Sequence, residues 1–275
     1  MNHLIDFVKI QATGNDFVVC SGEELLLNEL EPEVIKRICN RQFGIGSDGF
    51  IVIGGHKTGQ LSMRYFNSDG TAGEMCGNGL RAAVLFSYVS GFIKKSEWYT
   101  IDATDGQHQV KYFSTDKIQV EIAVKGQPES IDGQELTVPD NLNIWGFINT
   151  GVPHLVLNTN HDIENLDVYS IGKHYRYHDR FQNQGANVDF VEITGKNRIK
   201  VRTYERGVEQ ETLSCGTGVT ASALFYRRLF PTDAKQIIVE TKGGILEVMQ
   251  NEDRIFLTGP ARISYTGHYL LESEI

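Results

Sequence analysis

The stretch Arg64–Phe86, RYFNSDGTAGEMCGNGLRAAVLF, recurs at Arg202–Phe225 as RTYERGVEQETLSCGTGVTASALF, which puts Cys76 and Cys215 139 positions apart (215 − 76). In each copy a Cys-Gly-x-Gly turn opens a segment that is apolar nearly all round: LRAAVLFSYV after CGNG, VTASALFYRRLF after CGTG. A helix that is hydrophobic on every side is buried on every side. Both segments are therefore expected as central helices, each wrapped by strongly curved sheet. Arg227 and Arg228 would meet the C-terminal end of the second helix dipole.

The repeat extends outward from these helices. ATGNDFVV from Ala12 matches NTGVPHLV from Asn149, and GSDGFIVI from Gly46 matches ANVDFVEI from Ala186. ATDGQHQV then meets TKGGILEV, and DKIQVEI meets DRIFLTG, in the same order. Colinear matches at nearly constant spacing mean two copies of one fold. Short alternating segments such as LIDFVKI, FIVIG, WYTIDA, VDFVEI, IKVRTY and QIIVE read as strands. Further helices are expected near Pro32–Arg41 and Val168–His174. The fold class is thus α/β in the α+β sense, with two pseudo-symmetric domains. Each would be a curved, mostly antiparallel sheet or barrel around a buried helix. The domains are read as residues 1–127 and 128–263, with a boundary in Gly126–Gly133, and the tail 264–275 is expected to complete the first.

Composition narrows the function classes. Lys and Arg number 26 against 35 Asp and Glu, a net charge of −9 with no basic stripe, which argues against a nucleic-acid surface. No apolar run approaches the roughly 20 residues of a membrane span, and MNHLIDFVKI lacks the pattern of a secretory signal. The four cysteines, at 20, 39, 76 and 215, contain no CxxC pair, so neither a disulfide framework nor a Cys-rich zinc site organises the chain. A reducing, cytoplasmic setting is expected. The histidines form no HExxH motif, and HYRYH (174–178), an HxxxH spacing without that Glu, reads as a solvated face, so no metal site is expected. GGHKTG (54–59) lacks Gly-Lys-Ser/Thr and reads as a turn between strands. Cys20 and Cys39 read as small core residues, and His174, Tyr175 and His178 as a solvated face.

Cys76 and Cys215 differ, because each stands at the mouth of its helix. A helix N-terminus offers unpaired N–H groups and partial positive charge, which is expected to lower a thiol's pKa toward neutrality. The adjacent amides of Gly77, Asn78, Gly216 and Thr217 would receive a carboxylate. Pseudo-twofold symmetry would then set one thiol on each side of an α-carbon, the geometry for inverting a stereocentre by two-base proton transfer. Glu205 and Arg206, mirroring Asn67, are expected to line the cleft. His154, in the segment mirroring Asn15-Asp16, is either a hydrogen-bonded structural residue or a support for a thiol.

With these residues in hand, the chain closely resembles the diaminopimelate epimerase family over essentially its whole length. The resemblance is carried by ATGNDF, GIGSDG, YFNSDGTAGEMCGNG, PHLV, ANVDFV, TYERG, LSCGTG and LTGPA. It implies interconversion of LL- and meso-2,6-diaminopimelate, on the route to lysine and peptidoglycan, with neither cofactor nor metal. Cys76 and Cys215 would be acid and base. The implied substrate contacts are Asn15, Asn67, Gly77, Asn78, Asn187, Glu205, Arg206, Gly216 and Thr217. Gly77, Asn78, Gly216 and Thr217 would hold the α-carboxylate, and Asn67, Asn187, Glu205 and Arg206 the distal end. His154 and Glu205 match residues placed beside the reacting groups. The chain departs from the family pattern at Gly49 (commonly Gln), at Val152 (commonly Asn), and in GVEQETLSC, which is one residue longer. Alternatives are another cofactor-independent amino-acid racemase or epimerase, a non-catalytic amino-acid binding protein, or a thiol redox protein. The expected partners are a small amino-acid substrate and a second copy in a homodimer, with no nucleic acid and no membrane.

Overall fold

The computed structural model describes residues 3–22, 30–55, 60–74, 76–132 and 136–271. The expected turn at 56–59, the end of the expected boundary stretch at residue 133, and the last four residues of the tail lie outside them. The chain forms two compact units, Met1–Val120 with Gly259–Ile275, and Glu121–Thr258.

In the first unit the strands are β1 (His3–Ala12), β2 (Asn15–Ser21), β3 (Gly49–Gly54), β4 (Leu61–Asn67), β5 (Trp98–Ala103), β6 (Gly106–Ser114), β7 (Lys117–Ile122, which runs past the division) and β17 (Arg262–Leu271). They pair in the order β17-β1-β2-β3-β4-β5-β6-β7, parallel at β2/β3 and β4/β5 and antiparallel elsewhere. The second unit holds β8 (Lys125–Glu129), β9 (Leu142–Asn149), β10 (Pro153–Thr159), β11 (Asn187–Gly195), β12 (Arg198–Glu205), β13 (Gln210–Thr212), β14 (Gln236–Thr241), β15 (Gly244–Asn251) and β16 (Arg254–Gly259). Its order is β8-β9-β10-β11-β12-β14-β15-β16, parallel at β10/β11 and β12/β14, with β13 added to β12. The two units share one succession of parallel and antiparallel pairings. In it, β17 takes in the first unit the place that β8 takes in the second.

Each unit is layered as outer helix, sheet and inner helix. In the first, α1 (Pro32–Cys39) starts on a proline and buries Ile35, Ile38 and Cys39 against Val18, Cys20, Phe50 and Val52. The alternate residues of β2 and β3 point to the other face, where α2 (Gly77–Val89) is buried from Gly77 to Ser87. Both strands are therefore apolar on both faces, which explains runs such as FIVI. In the second unit α3 (Val168–Arg176) covers a cluster including Leu155, Leu157, Val188, Phe190 and Tyr204. On α3, Gly172 lies so close to Tyr204 that an added Cβ would come within 2.3 Å of it. The inner helix is α4 (Gly216–Leu229), touched by β9–β12, β14 and β15.

Two expectations change. The division falls after Val120 and after Thr258 rather than at 127/128 and 263/264. KGQPE, which overlaps the expected boundary stretch, is strand β8, paired with β9 at the edge of the sheet, where proline removes no needed ladder bond. Tyr175 is not on a solvated face: it is buried, and its hydroxyl donates to the Thr137 carbonyl at 2.7 Å. Burial satisfies the ring and that one bond satisfies the hydroxyl. Cys20 and Cys39 are buried core residues, and burial pushes the Cys20 thiol up to about 12.

Candidate active site

Cys76 caps α2 in an extended conformation (φ −129°, ψ 104°), and its Sγ accepts the Gly79 amide at 3.3 Å. The thiol is half-buried and lines a small cavity with Tyr65, Glu74, Leu80 and Asp105. Asn78, the second residue of α2, is buried and donates from Nδ2 to Asn15 Oδ1 at 2.5 Å. Asn15 Nδ2 in turn donates to Asp48 Oδ2 at 3.2 Å. The Asn78 carbonyl oxygen accepts from Arg81 Nη2 at 2.8 Å and from the Thr13 hydroxyl at 3.4 Å. Thr13 and Gly14 form the two-residue turn between β1 and β2, both at positive φ (47° and 97°). That turn carries the Thr13 hydroxyl to Arg81 Nη2 at 2.9 Å.

Cys215 caps α4 and is buried, 3.3 Å from the Thr217 hydroxyl. Thr217 Oγ1 lies 2.9 Å from His154 Nε2, and His154 Nδ1 lies 2.7 Å from Asp189 Oδ2. Strand pairing builds this line. β10 and β11 run parallel with His154 opposite Asn187, and Asp189, two residues on, faces the same side. Asp189 Oδ1 accepts from Thr203 Oγ1 at 2.7 Å, and Gly218 makes room for it, since a Cβ there would sit 2.1 Å from that oxygen.

The hydrogen bonds also assign the imidazole. The Arg206 amide, a donor, lies 2.6 Å from Asn187 Oδ1, which turns Asn187 Nδ2 toward His154 Nε2 at 3.3 Å. Nε2 therefore accepts, Nδ1 carries the proton to Asp189, and the imidazole is neutral. The polarity of the chain runs from the Cys215 S–H through the Thr217 O–H to His154.

At Cys215 the expected lowering of the thiol pKa is corrected. Burial pushes it well above the ordinary range, the carboxylates of Glu205 and Asp189 add to that, and the Thr217 hydroxyl and Gly218 amide only partly offset them. The helix dipole was legible in the sequence; the desolvation and the nearby carboxylates were not. Cys215 thus rests as a thiol.

Gly77 and Gly216 are the first residues of the inner helices, and Glu205 and Arg206 follow at the end of β12. Asn67 ends β4 with its amide on Thr71 Oγ1 at 3.0 Å, apart from the Asn15–Asn78–Arg81 network. Val152 is buried in the turn before β10, and Gly49 packs so that a Cβ would lie 2.5 Å from the Tyr65 ring. Asp189, Thr203, Thr13 and Arg81 were not singled out from the sequence. The signals were present: polar residues two apart on one face of an apolar strand, and one charge inside a helix apolar on all sides. Among the described residues no three His, Cys, Asp or Glu side chains gather as metal ligands would, and no helix is long and apolar enough to cross a membrane.

Solved structures share this fold. A phenazine biosynthesis protein of the PhzF family from Bacillus anthracis superposes with a TM-score of 0.71 at 16% identity, over 98% of this chain and 100% of the other. A hydroxyproline epimerase from Agrobacterium vitis gives 0.68 at 13% identity, over 98% and 93%. Fold and sequence relatives together make this chain an epimerase-class isomerase. The family model described as diaminopimelate epimerase matches residues 7–128 and 146–264. Diaminopimelate epimerases from Flavobacterium psychrophilum and Aquifex aeolicus are each 36% identical, over 94% and 93% of this chain and 97% and 94% of theirs. That of Archaeoglobus fulgidus is 34% identical over 96% of this chain and 95% of its own length. The chain belongs to the diaminopimelate epimerase family.

Proposed function

We infer that this chain interconverts LL- and meso-2,6-diaminopimelate by two-base proton transfer, with Cys76 and Cys215 as base and acid. The observation that carries the reading is the matched pair of cysteine-capped inner helices, one in each unit. The Cys76 thiolate removes the α-proton, and the Cys215 thiol returns its own proton to the opposite face. The enzyme is left with Cys76 as thiol and Cys215 as thiolate. At that moment the Thr217 hydroxyl turns from His154 Nε2 to the sulfur, while the Asn187 amide keeps Nε2 satisfied. His154 and Asp189 thereby hold a switchable donor 3.3 Å from the thiol. The reverse reaction starts from the other charge distribution.

The α-carboxylate is assigned to the amides of Gly77, Asn78, Gly216 and Thr217, whose helix termini also stabilise carbanion charge. The distal amino-acid end is assigned to Asn67, Asn187, Glu205 and Arg206, with Asn15 holding Asn78 in place. Buried Val152 favours one second reading, a related amino-acid substrate without a distal carboxylate. Incubating LL-diaminopimelate in deuterated water tests the assignment: α-deuterium must enter as the meso isomer forms. Comparing kcat/KM with monocarboxylic amino acids separates the two readings. Four cysteines held as thiols rather than disulfides suit a reducing compartment such as the cytoplasm. A homodimer is proposed through the exposed Leu4, Tyr265 and Leu270 of β1 and β17, with solution mass as its test.

A further inference from the structure

The segment GVEQETLSC (207–215), one residue longer than the family pattern, is entered through a turn pinned from outside. The Glu209 amide donates to the Glu205 carbonyl at 2.8 Å and closes the turn. Gly207 and Glu209 both have positive φ (89° and 57°), a conformation that is costly for a residue with a side chain. A glutamate is nonetheless kept there, and its carboxylate is gripped. Arg176, the last residue of α3, sets Nε and Nη2 each 3.1 Å from Glu209 Oε1. The same oxygen accepts the Gly207 amide at 3.0 Å, and the Tyr177 hydroxyl also bonds the carboxylate. From β12 the Tyr204 hydroxyl donates to the Glu209 carbonyl at 2.9 Å. Arg176 is itself held in place. Its guanidinium lies 4.6 Å from the centroid of the Tyr177 ring and against Gly185, where a Cβ would come within 1.8 Å of Nη1. The Arg176 side chain is only 12% exposed, so water screens this ion pair less than it would a surface one.

We propose that Glu209 is a positioning residue for substrate specificity: clamped by Arg176, it holds the turn that aims Arg206 at the distal end of the substrate. Arg206 lies inside this turn, and its amide donates to Asn187 Oδ1 at 2.6 Å. Its backbone is thus fixed on both sides before substrate arrives, which removes an ordering cost from binding. Glu209 acts through that backbone and not on the reacting carbon. The repeat shows the alternative construction. In the first unit the matching turn after β4 is closed by its own side chains, with Asp69 Oδ1 accepting from the Thr71 amide (2.9 Å) and hydroxyl (2.7 Å). There Asn67 Nδ2 donates to Thr71 Oγ1 at 3.0 Å. In the second unit the grip comes from α3, so the outer helix of that unit has a part in substrate selection as well as in covering the sheet.

The proposal rests on reading Arg206 as the distal contact, and its test pairs kinetics with hydrogen exchange. Glu209→Ala should lower kcat/KM for LL-diaminopimelate by about tenfold, and the loss should sit mainly in KM. In an Arg206→Ala background the same change should cost less than about threefold, because the two residues act through one contact. On the ligand-free protein, the Arg206 amide should exchange with deuterated water about tenfold faster in Glu209→Ala, while amides of β11 and α4 keep their rates. Arg176→Gln removes the clamp from the α3 side, leaves the turn's own sequence intact, and should reproduce both effects; it decides the matter alone if Glu209→Ala does not fold. A loss carried by kcat with KM unchanged, or an undiminished tenfold loss in the Arg206→Ala background, overturns the proposal. So does an Arg206 amide whose exchange is unmoved in either clamp variant. A parent enzyme that prefers monocarboxylic amino acids would instead fail the functional reading, whereas exchange at Arg206 tests the clamp without any substrate.

Discussion

Asp189→Asn changes one atom type in a fully buried line and should disable the chemistry while sparing the fold. Asp189 accepts two hydrogen bonds of 2.7 Å, from His154 Nδ1 and from Thr203 Oγ1. Bonds to a charged group contribute about 1.5–3 kcal/mol each and neutral ones about 0.5–1.5. Exchanging two of the first for two of the second costs about 2 kcal/mol, or a Tm lower by about 4–8 °C in a chain of this size. The catalytic effect is larger and has a different origin. Asn presents Nδ2 to His154, which must move its proton to Nε2. Nε2–H then confronts the Thr217 hydroxyl and the Asn187 amide, and the polarity of the chain to Cys215 is reversed. A general acid or base in the wrong protonation form typically loses about 10²–10⁴-fold. The assay is kcat for LL-diaminopimelate beside a thermal melt. Cys215 should also alkylate at lower pH in the variant, since one of the charges raising its thiol is gone. A variant whose Tm falls while kcat stays within about tenfold, a barrier change under about 1.4 kcal/mol, would refute the relay and leave Asp189 a core residue.

Replacing Cys76 or Cys215 by Ala should abolish epimerisation, whereas Cys20→Ala and Cys39→Ala should leave turnover near that of the parent; retained turnover in Cys76→Ala would exclude two-base transfer. Val152→Asn should change KM by less than about tenfold, because a neutral hydrogen bond contributes about 0.5–1.5 kcal/mol, and Arg206→Ala should be far more damaging to kcat/KM. Gly218→Ala would press a methyl group to within 2.1 Å of Asp189 and should lower both Tm and kcat, while Gly79→Ala meets Ile51 and Cys76 at 3.4–3.5 Å and should leave Tm unchanged or slightly higher. For Asp16, burial raises the carboxyl but hydrogen bonds from Arg41 and Lys9 outweigh it, bringing the pKa from 3.8 to about 2. A folded value below the unfolded one means stability present above about pH 4 and lost as pH falls toward 2. Urea midpoints across that window should vary less in Asp16→Asn, and an unaltered slope would count against the pairing.

The repeat and its two buried helices were legible because an all-round apolar run longer than a usual strand, opened by the same Cys-Gly-x-Gly turn, occurs twice. The thiols were legible as a pair and would have been weak signals singly. The state of Cys215 was not legible. A local sequence shows the helix that follows a cysteine, but Asp189 reaches it through His154, 35 positions earlier and on another strand. Arg81 was passed over for a related reason: in LRAAVLFSYV one charge barely alters the apolar pattern, though burial makes it the costliest group there. The boundary was read from the spacing of the repeat, which does not reveal that Lys125–Glu129 pair with β9 as an edge strand.

The tail strand β17 gives the chain an order of completion that differs from its order of synthesis. A nascent chain that has reached Gly259 holds every strand of the second unit. The first unit, begun earlier, still exposes the edge of β1 that β17 will cover. At roughly 5–20 residues per second the wait spans most of translation, and an unpaired apolar edge is a template for wrong partners throughout it. The closing residues, Arg262–Leu271, contain neither thiol and none of the groups assigned to substrate. Their loss would nonetheless leave the half that carries Cys76 unfinished, so a late stop codon acts on this protein as a folding lesion at its beginning.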